Sequence, residues 1–360
     1  MNHMKLILTR LLFSVTATAA LLMAQQNAPP APPPLLPCGA QANGEILCGT
    51  RSPEDLELTP DGKYLIVPQF VGQGRGGAST AGAGLFIFDI AAKTFSKLAI
   101  TSQPDKTWGD AACPGPVNDV VPHGISLSKR ANGATQLYVV NHGGRESIEM
   151  FELKKGGASW ALTWHGCVTS AQAFNDVAVL RDGSFVATHP TAMRAPEDTS
   201  DLFAGKPSGW VSRWMPGKGE SELPGTRAGY PNGVLASADG RTMYFNAWTA
   251  KEVHRYDLKS EKETGVVKLN FMPDNITWTS KGQMLAAGVK GTRGNCGSDP
   301  CIQAFSVAEI NPSDMKARTV FDSEGKGGLI GGVSVALAVK DSIYIGAFQG
   351  DRLVKAAWKP

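Results

Sequence analysis

The sequence predicts an all-β protein, specifically a six-bladed β-propeller. Glycine supplies 41 of 360 residues and charged residues only 19%, a composition that suits short strands and tight turns better than charged helices. A loose unit of two strands joined by a turn, and opened in most copies by polar residues, recurs six times. A propeller blade cannot bury both faces without neighbours, so six such units predict six blades.

Each unit contains an alternating strand, a turn and a second strand. Further strand-like runs follow, for example at 85–88 and 148–151. A β-sandwich with repeated Asp-Gly or Asn-Gly hairpins is the alternative, but turns alone would not repeat the polar opening. The interpretation is one propeller domain over residues 38–360. The predicted hairpins span 54–67, 123–140, 175–187, 232–245, 274–286 and 334–345.

The N-terminal segment predicts export. Residues 1–24 carry Lys5 and Arg10, then an apolar run and the small residue Ala24, as a secretory signal peptide does. The run is short for a membrane span, so no stable span is expected after cleavage; a retained anchor is the alternative. Residues 25–37, rich in Ala and Pro, are predicted to be a linker. We therefore expect a periplasmic or secreted protein.

Cysteine usage agrees with export, because all six cysteines follow the signal segment and their number is even. A metal site is disfavoured, since no CxxC pair is present. Six cysteines allow fifteen pairings. The first two cysteines are close in sequence, and so are the last two, which leaves the middle two to pair with each other. The predicted disulfides are Cys38–Cys48, Cys113–Cys167 and Cys296–Cys301.

The charge pattern excludes one class of partner. The formal net charge is +3, and it is spread without basic runs. Nucleic-acid binders concentrate Lys and Arg on one face or segment. No nucleic acid partner is therefore expected.

Oxygen-bearing residues open the predicted units. If the blades are equivalent, these residues lie at the same end of equivalent strands and converge on the central channel. Carboxylates and Asn carbonyls without thiolates are typical ligands of a hard cation, and Ca²⁺ tolerates a flexible ring better than Mg²⁺. One isolated Asn-Asp pair would be an ordinary turn, but the recurrence of such polar residues at the same position of the repeated unit predicts metal ions in the channel. The residues are Glu54, Asp55, His123, Asn175, Asp176, Asn232, Asp274 and Asn275.

Two histidines flank the second hairpin. His123 begins it and His142 follows its end, so an antiparallel return brings both near one mouth of the channel. A neutral imidazole can take a proton from water, and a second can orient the first. The alternative is a pair of ordinary strand-end histidines. His189 occupies a similar phase in the third unit and is a further candidate for the pocket wall.

Six motifs, taken together and in order, resemble the paraoxonase/arylesterase family from about residue 50 to the C-terminus. The match is specific because the order and the His123-to-His142 spacing both agree. The segments are Ser52–Leu58, Pro122–Ser126, Val139–His142, Phe174–Val177, Asn232-Gly233 and Asp274–Ile276.

This resemblance implies a propeller with two calcium ions that hydrolyses small-molecule lactones and aryl esters. It implies that His123 and His142 form a catalytic dyad. Two alternatives remain open: a gluconolactonase-type sugar lactonase with one metal, and a non-catalytic exported binding propeller stapled by calcium. The implied catalytic-calcium ligands are Glu54, Asn175, Asn232, Asp274 and Asn275, and the structural-calcium ligands are Asp55, Asp176 and the backbone carbonyl of Ile125.

Overall fold

The computed structural model describes residues 34–71, 81–157, 159–191, 203–291 and 302–358. Within them, strands form six separate sheets of four or five strands each. The sheets are antiparallel apart from one parallel edge pairing. The all-β class and the six-bladed propeller are therefore confirmed, and all six predicted hairpins form the inner two strands of a blade.

The strands of blades 1 to 3 follow one another along the chain, with one exception. Strand β7 (Ala99–Ser102) comes after the strands of blade 1 but pairs in parallel with β11 (Ser159–Thr169) at the outer edge of blade 2. Blade 1 contains β3 (Glu57–Leu58), β4 (Tyr64–Gln69), β5 (Gly84–Asp89) and β6 (Thr94–Lys97). Blade 2 contains β7 (Ala99–Ser102), β8 (Pro122–Lys129), β9 (Thr135–Asn141), β10 (Ser147–Gly156) and β11 (Ser159–Thr169). Blade 3 contains β12 (Val177–Val179), β13 (Phe185–His189), β14 (Trp210–Met215) and β15 (Gly219–Glu222).

Blades 4 and 5 are regular four-stranded meanders, whereas blade 6 takes strands from both ends of the described chain. Blade 4 contains β16 (Pro231–Ala236), β17 (Thr242–Ala247), β18 (Glu252–Asp257) and β19 (Lys262–Lys268). Blade 5 contains β20 (Met272–Trp278), β21 (Met284–Val289), β22 (Phe305–Ile310) and β23 (Ala317–Asp322). Blade 6 contains β24 (Val333–Val339), β25 (Ser342–Ala347), β26 (Arg352–Ala357), β2 (Gly44–Cys48) and β1 (Gly39–Gln41).

The ring closes through blade 6. Strand β2, near the start of the described chain, pairs with β26 near its end, with Leu47 opposite Leu353. Main-chain hydrogen bonds thus join segments about 300 residues apart, and the outer edge of the last blade is covered.

The hydrophobic core is divided among the blade interfaces. Six main apolar clusters each contain residues of two neighbouring blades. Between blades 1 and 2, for example, Ile66 and Leu137 are fully buried. Complete burial of one such side chain contributes about 1.5–3 kcal/mol. Each blade therefore depends on both neighbours, as the repeat predicted.

Two of the three predicted disulfides are confirmed, Cys38–Cys48 and Cys113–Cys167. Cys296 and Cys301 lie outside the described residues, as does the predicted signal peptide. Two disulfides agree with an oxidising, exported environment. No helix within the described ranges is long and apolar enough to cross a membrane.

Candidate active site

The polar residues that open the units lie where the innermost strands begin irregularly. In blades 4 and 5 the register shifts between Pro231 and Val234 and between Pro273 and Ile276, and blade 2 shows the same shift after Pro122. A bulge leaves residues outside the regular ladder and redirects their side chains. Asn232 and the pair at 274–275 occupy these positions.

Hydrogen bonds connect the opening residues of neighbouring blades. The Asn275 side-chain N–H donates to Glu54 Oε1 at 2.9 Å and joins blade 5 to blade 1. Asp55 Oδ2 accepts from the Ile125 N–H at 2.8 Å, between blades 1 and 2. The Gly124 N–H donates to the Asn175 carbonyl at 3.2 Å, between blades 2 and 3.

The same pattern continues through blades 3, 4 and 5. Asp176 Oδ2 accepts from the Val234 N–H at 2.7 Å, and the Asn246 side-chain N–H donates to the Asp274 carbonyl at 2.7 Å. These bonds complete a ring across five blades. The structure thus brings the opening residues of these five blades together at one end of the channel.

Two glycines allow this close approach. A Cβ on Gly124 would lie 2.2 Å from Asp176 Oδ1, and a Cβ on Gly233 would lie 2.6 Å from both the Asn275 Cα and the Asp274 carbonyl oxygen. Neither contact could be relieved by moving a flexible side-chain tip, because main-chain atoms are involved. Gly is therefore required by the packing of neighbouring inner strands.

Buried oxygens without hydrogen-bond partners mark the channel. Glu54 Oε2 and the Oδ1 atoms of Asn175, Asn232 and Asn275 are all buried and accept no hydrogen bond. Leaving a buried acceptor unsatisfied costs about 1–3 kcal/mol. These four residues belong to the five predicted ligands of the catalytic calcium, and a hard cation would satisfy acceptors of this kind. The donor set fits the predicted catalytic calcium.

The electrostatics of the site also favour a cation. Burial, and next the negative charge of Asp274, raise the pKa of Glu54 well above its usual range. Within the described chain, Glu54, Asp55 and Asp176 form no ion pair with a lysine or arginine. In the same region no three His, Cys, Asp or Glu side chains cluster closely enough to hold a metal, so a cation would depend on the amide oxygens.

The predicted structural-calcium ligands have different surroundings. Asp55 accepts from the Leu56 and Ile125 N–H groups, and Asp176 accepts from those of Val177 and Val234. All four carboxylate oxygens therefore have a partner, and the two side chains link neighbouring blades. Burial raises the pKa of Asp55 to about 7, despite these hydrogen bonds. A second cation here is favoured by charge, not by unsatisfied oxygens.

Glu57 extends this pattern toward the other end of the channel. It lies two residues after Asp55, so both face the same side of an extended chain, and its Oε1 accepts from the Leu127 N–H at 2.9 Å. Burial raises the pKa of Glu57 to about 8. Glu57 and Asp55 both line a cavity of about 620 Å³ that reaches the turns near Asp182. That cavity lies at the end of the channel opposite the histidine pair.

The structure brings His123 and His142 together as predicted. His123 Nδ1 lies 3.0 Å from His142 Nε2, and His123 Nε2 lies 3.6 Å from Glu54 Oε1. Phe70 stacks on the His123 ring with centroids 4.0 Å apart. His142 Nδ1 lies 2.8 Å from Glu146 Oε2. The pair therefore joins the candidate cation ring to a carboxylate; its catalytic role stays a prediction.

His189 does not join this pair. It is 1% exposed within blade 3, where its Nε2 lies 2.9 Å from Glu220 Oε1 and 3.0 Å from Ser212 Oγ. Its Nδ1 contacts the Ala173 carbonyl. These contacts place His189 in a buried network that packs the blade.

Several site residues were missed by sequence reasoning. Glu146 follows His142 by four residues, across a turn that Gly143-Gly144 signals in the sequence, but that signal does not indicate that the carboxylate faces the imidazole. Asn246 and Thr188 hold the carbonyls of Asp274 and Asn232 from the second strands of their blades. The signal that could have found them is their shared position near the end of each second strand, opposite the bulge.

The fold and the site define a six-bladed propeller whose channel is lined by buried oxygens beside a histidine pair. The family model for the SMP-30/Gluconolactonase/LRE-like region matches residues 77–296, more than half of the chain. The chain belongs to this family. Its narrower resemblance to paraoxonases is not established by that match. No curated protein matches the chain in sequence.

Solved structures share the fold. A gluconolactonase from Xanthomonas campestris is 15% identical with a TM-score of 0.51, over 92% of this chain and 98% of its own. A luciferin-regenerating enzyme is 11% identical with a TM-score of 0.50, over 87% of this chain and 92% of its own. At these identities the likeness concerns the propeller alone.

Proposed function

We propose that the chain is a calcium-dependent carboxylic ester hydrolase that acts on lactones and aryl esters, as paraoxonases do. The observation that carries the proposal is the set of four buried, unpartnered oxygens beside an imidazole pair. Membership of a family that includes gluconolactonases supports a lactonase-type activity.

The catalytic calcium would be held by Glu54, Asn175, Asn232, Asp274 and Asn275. A bound calcium would supply a Lewis acid that polarises the substrate carbonyl and stabilises negative charge on its oxygen. The chain itself holds these ligand residues in place through hydrogen bonds. The Asn275 side chain donates to Glu54, and the Asn246 side chain donates to the Asp274 carbonyl.

His123 is the general base in this proposal. Its Nδ1 faces His142, so its Nε2 is the nitrogen on the side of Glu54. A water molecule would give its proton to Nε2 as its oxygen attacks the ester carbonyl, and Nε2 would then return this proton to the departing alcohol oxygen as the bond between that oxygen and the carbonyl carbon breaks. Such a base typically contributes about 10²–10⁴-fold to the rate. Phe70 restricts the ring to one plane.

A second, structural calcium at Asp55, Asp176 and the Ile125 carbonyl is part of the proposal. Burial, and next the negative charge of Asp55, raise the pKa of Asp176 well above its usual range, and a nearby cation would favour the ionised form. A single-metal sugar lactonase is the second candidate, favoured by the backbone N–H partners on all four oxygens. Metal analysis of the purified protein separates them: two calcium ions per chain support the paraoxonase-like enzyme, and one supports the sugar lactonase.

Hydrolysis of phenyl acetate, a δ-lactone and a long-chain acyl-homoserine lactone tests the activity, before and after calcium chelation and readdition. We expect activity that disappears on chelation and returns with calcium. Calcium binding without hydrolysis of any of the three would instead support a non-catalytic binding propeller.

The variant His123→Gln separates the base from the metal. We expect kcat to fall by about 10²-fold or more, with calcium affinity in titration calorimetry nearly unchanged. Unchanged turnover would remove His123 from the mechanism. Glu263→Gln is the matched control, because that carboxylate pairs with a histidine on the outer strands of blade 4.

A further inference from the structure

The second histidine of the pair has a carboxylate partner that the mechanism above does not use. Both oxygens of Glu146 lie near His142 Nδ1, at 3.0 and 2.8 Å. The other ring nitrogen of His142 lies 3.0 Å from His123 Nδ1. Three side chains thus form one line from the turn after β9 into the channel.

The turn that carries Glu146 is held in place from several sides. Asn141 Oδ1 accepts from the Val121 and Gly143 N–H groups, and its side-chain N–H groups donate to the Gly143 and Arg145 carbonyls. The Glu146 carbonyl accepts from the Ser170 N–H. Glu146 is therefore placed beside His142 by a fixed turn, which distinguishes it from an exposed pair of long side chains.

The acid–base chemistry of Glu146, His142 and His123 determines which atom donates and which accepts in each hydrogen bond. An ionised carboxylate only accepts hydrogen bonds, so His142 Nδ1 must carry a proton. In the neutral ring, Nε2 is then an acceptor, and His123 Nδ1 must be the donor. The other ring nitrogen of His123, Nε2, lies on the side of the channel, 3.6 Å from Glu54 Oε1.

We propose that Glu146 is a positioning residue that selects the Nδ1–H tautomer of His142 and thereby keeps His123 Nδ1 as the donor to His142 Nε2, with His123 Nε2 on the side of the channel. The inference rests on the proposed hydrolase function. When His123 Nε2 takes a proton from water, the Nδ1 proton of His123 can pass to His142 Nε2. The positive charge then lies on His142, next to the Glu146 carboxylate, and returns as the leaving group is protonated.

The test combines kinetics with spectroscopy on the full-length protein in calcium. Glu146→Leu removes the acceptor, and Glu146→Asp keeps the charge on a shorter side chain. For Glu146→Leu we expect kcat for phenyl acetate to fall about tenfold or more, within the range of a general base. We expect KM and calcium affinity to change less than about twofold, since no ligand is altered. Glu146→Asp should recover part of the loss.

Selective ¹⁵N labelling of histidine reads the tautomer directly and does not require activity. We expect His142 to be protonated on Nδ1 in the parent protein and to lose that preference in Glu146→Leu. Glu263→Leu is the control, because it removes the carboxylate from His254 Nδ1, 2.6 Å away, and should leave kcat unchanged.

Two results would overturn the proposal: an Nδ1-protonated His142 that persists in Glu146→Leu, or a kcat equal to that of the parent. If none of the esters is hydrolysed by the parent protein, the hydrolase function fails, whereas the tautomer measurement still decides the role of Glu146.

Discussion

Replacing Asn232 with Leu should have opposite effects on the two forms of the protein. Asn232 is 4% exposed and its Oδ1 accepts no hydrogen bond. Leu has a similar shape and no polar atom. When a chelator has removed calcium, the substitution eliminates an unsatisfied buried acceptor that destabilises the folded protein by about 1–3 kcal/mol. The calcium-free variant should therefore be more stable than the calcium-free parent.

The expected rise in Tm follows from that energy. One kcal/mol corresponds to about 2–4 °C in a domain of about 150–250 residues, and the shift becomes smaller as the domain becomes larger. At about 2 °C per kcal/mol for this larger domain, the chelated variant should melt roughly 2–6 °C higher. In calcium the order should reverse. A ligand at about a hundredfold its Kd stabilises by about 2.7 kcal/mol, and the variant should lose most of this increment together with its calcium affinity.

Differential scanning calorimetry with and without calcium measures both effects. Asn141→Leu is the control, because Asn141 is fully buried and its Oδ1 accepts two backbone N–H groups. That variant should be destabilised equally in both conditions. If Asn232→Leu destabilises the chelated protein and keeps the full calcium increment, the reasoning about the unsatisfied oxygens is wrong.

Three further predictions concern the frame of the site. Replacing Cys113 and Cys167 with Ser opens a loop of 54 residues and should cost about 4 kcal/mol in urea unfolding; a loss no larger than that from opening the 10-residue Cys38–Cys48 loop would contradict the loop-length argument. Gly233→Ala places a Cβ 2.6 Å from the Asn275 Cα and should weaken calcium binding in calorimetry at least tenfold, or about 1.4 kcal/mol, whereas Gly156→Ala, which meets only the Ala161 Cβ at 3.3 Å, should not. Burial acts to raise the pKa of Glu220, but hydrogen bonds from His189 and Ser212 outweigh burial and lower the pKa. The pKa of Glu220 is therefore lower in the folded protein than in the unfolded chain. The resulting stabilisation is present above pH 4.5 and is lost as the pH falls through the folded-state pKa. Melting of Glu220→Gln against the parent from about pH 3 to about pH 7 should show a difference that shrinks on acidification, and a constant difference would exclude this linkage.

The repeat made the blades predictable. Alternating strands and Gly-containing turns are local features, and six copies can bury their faces only by packing on each other. The same position in each repeat predicted that Glu54, Asn175, Asn232 and Asn275 converge on the channel, because equivalent positions in equivalent blades lie at the same end of it. Two cysteine pairs were also predictable from their order along the chain.

The closure of blade 6 was not predictable in this way. Strand β2 is short, and nothing in its own residues says that it will pair with β26. The partner of an edge strand is chosen by which edge remains open when the ring is complete. The parallel pairing of β7 with β11 likewise depends on the placement of a neighbouring blade.

The sequence by itself determined the all-β class, the number of blades and the identity of the polar residues at the channel, because these follow from local period and from repetition. Only the tertiary structure decided which oxygens keep a partner. Asp55 and Asn232 are similar polar openers, yet backbone N–H groups occupy the carboxylate oxygens of the first and leave Oδ1 of the second unsatisfied. Such differences depend on distances of a few tenths of an ångström between separate blades, and a linear pattern contains no such distances.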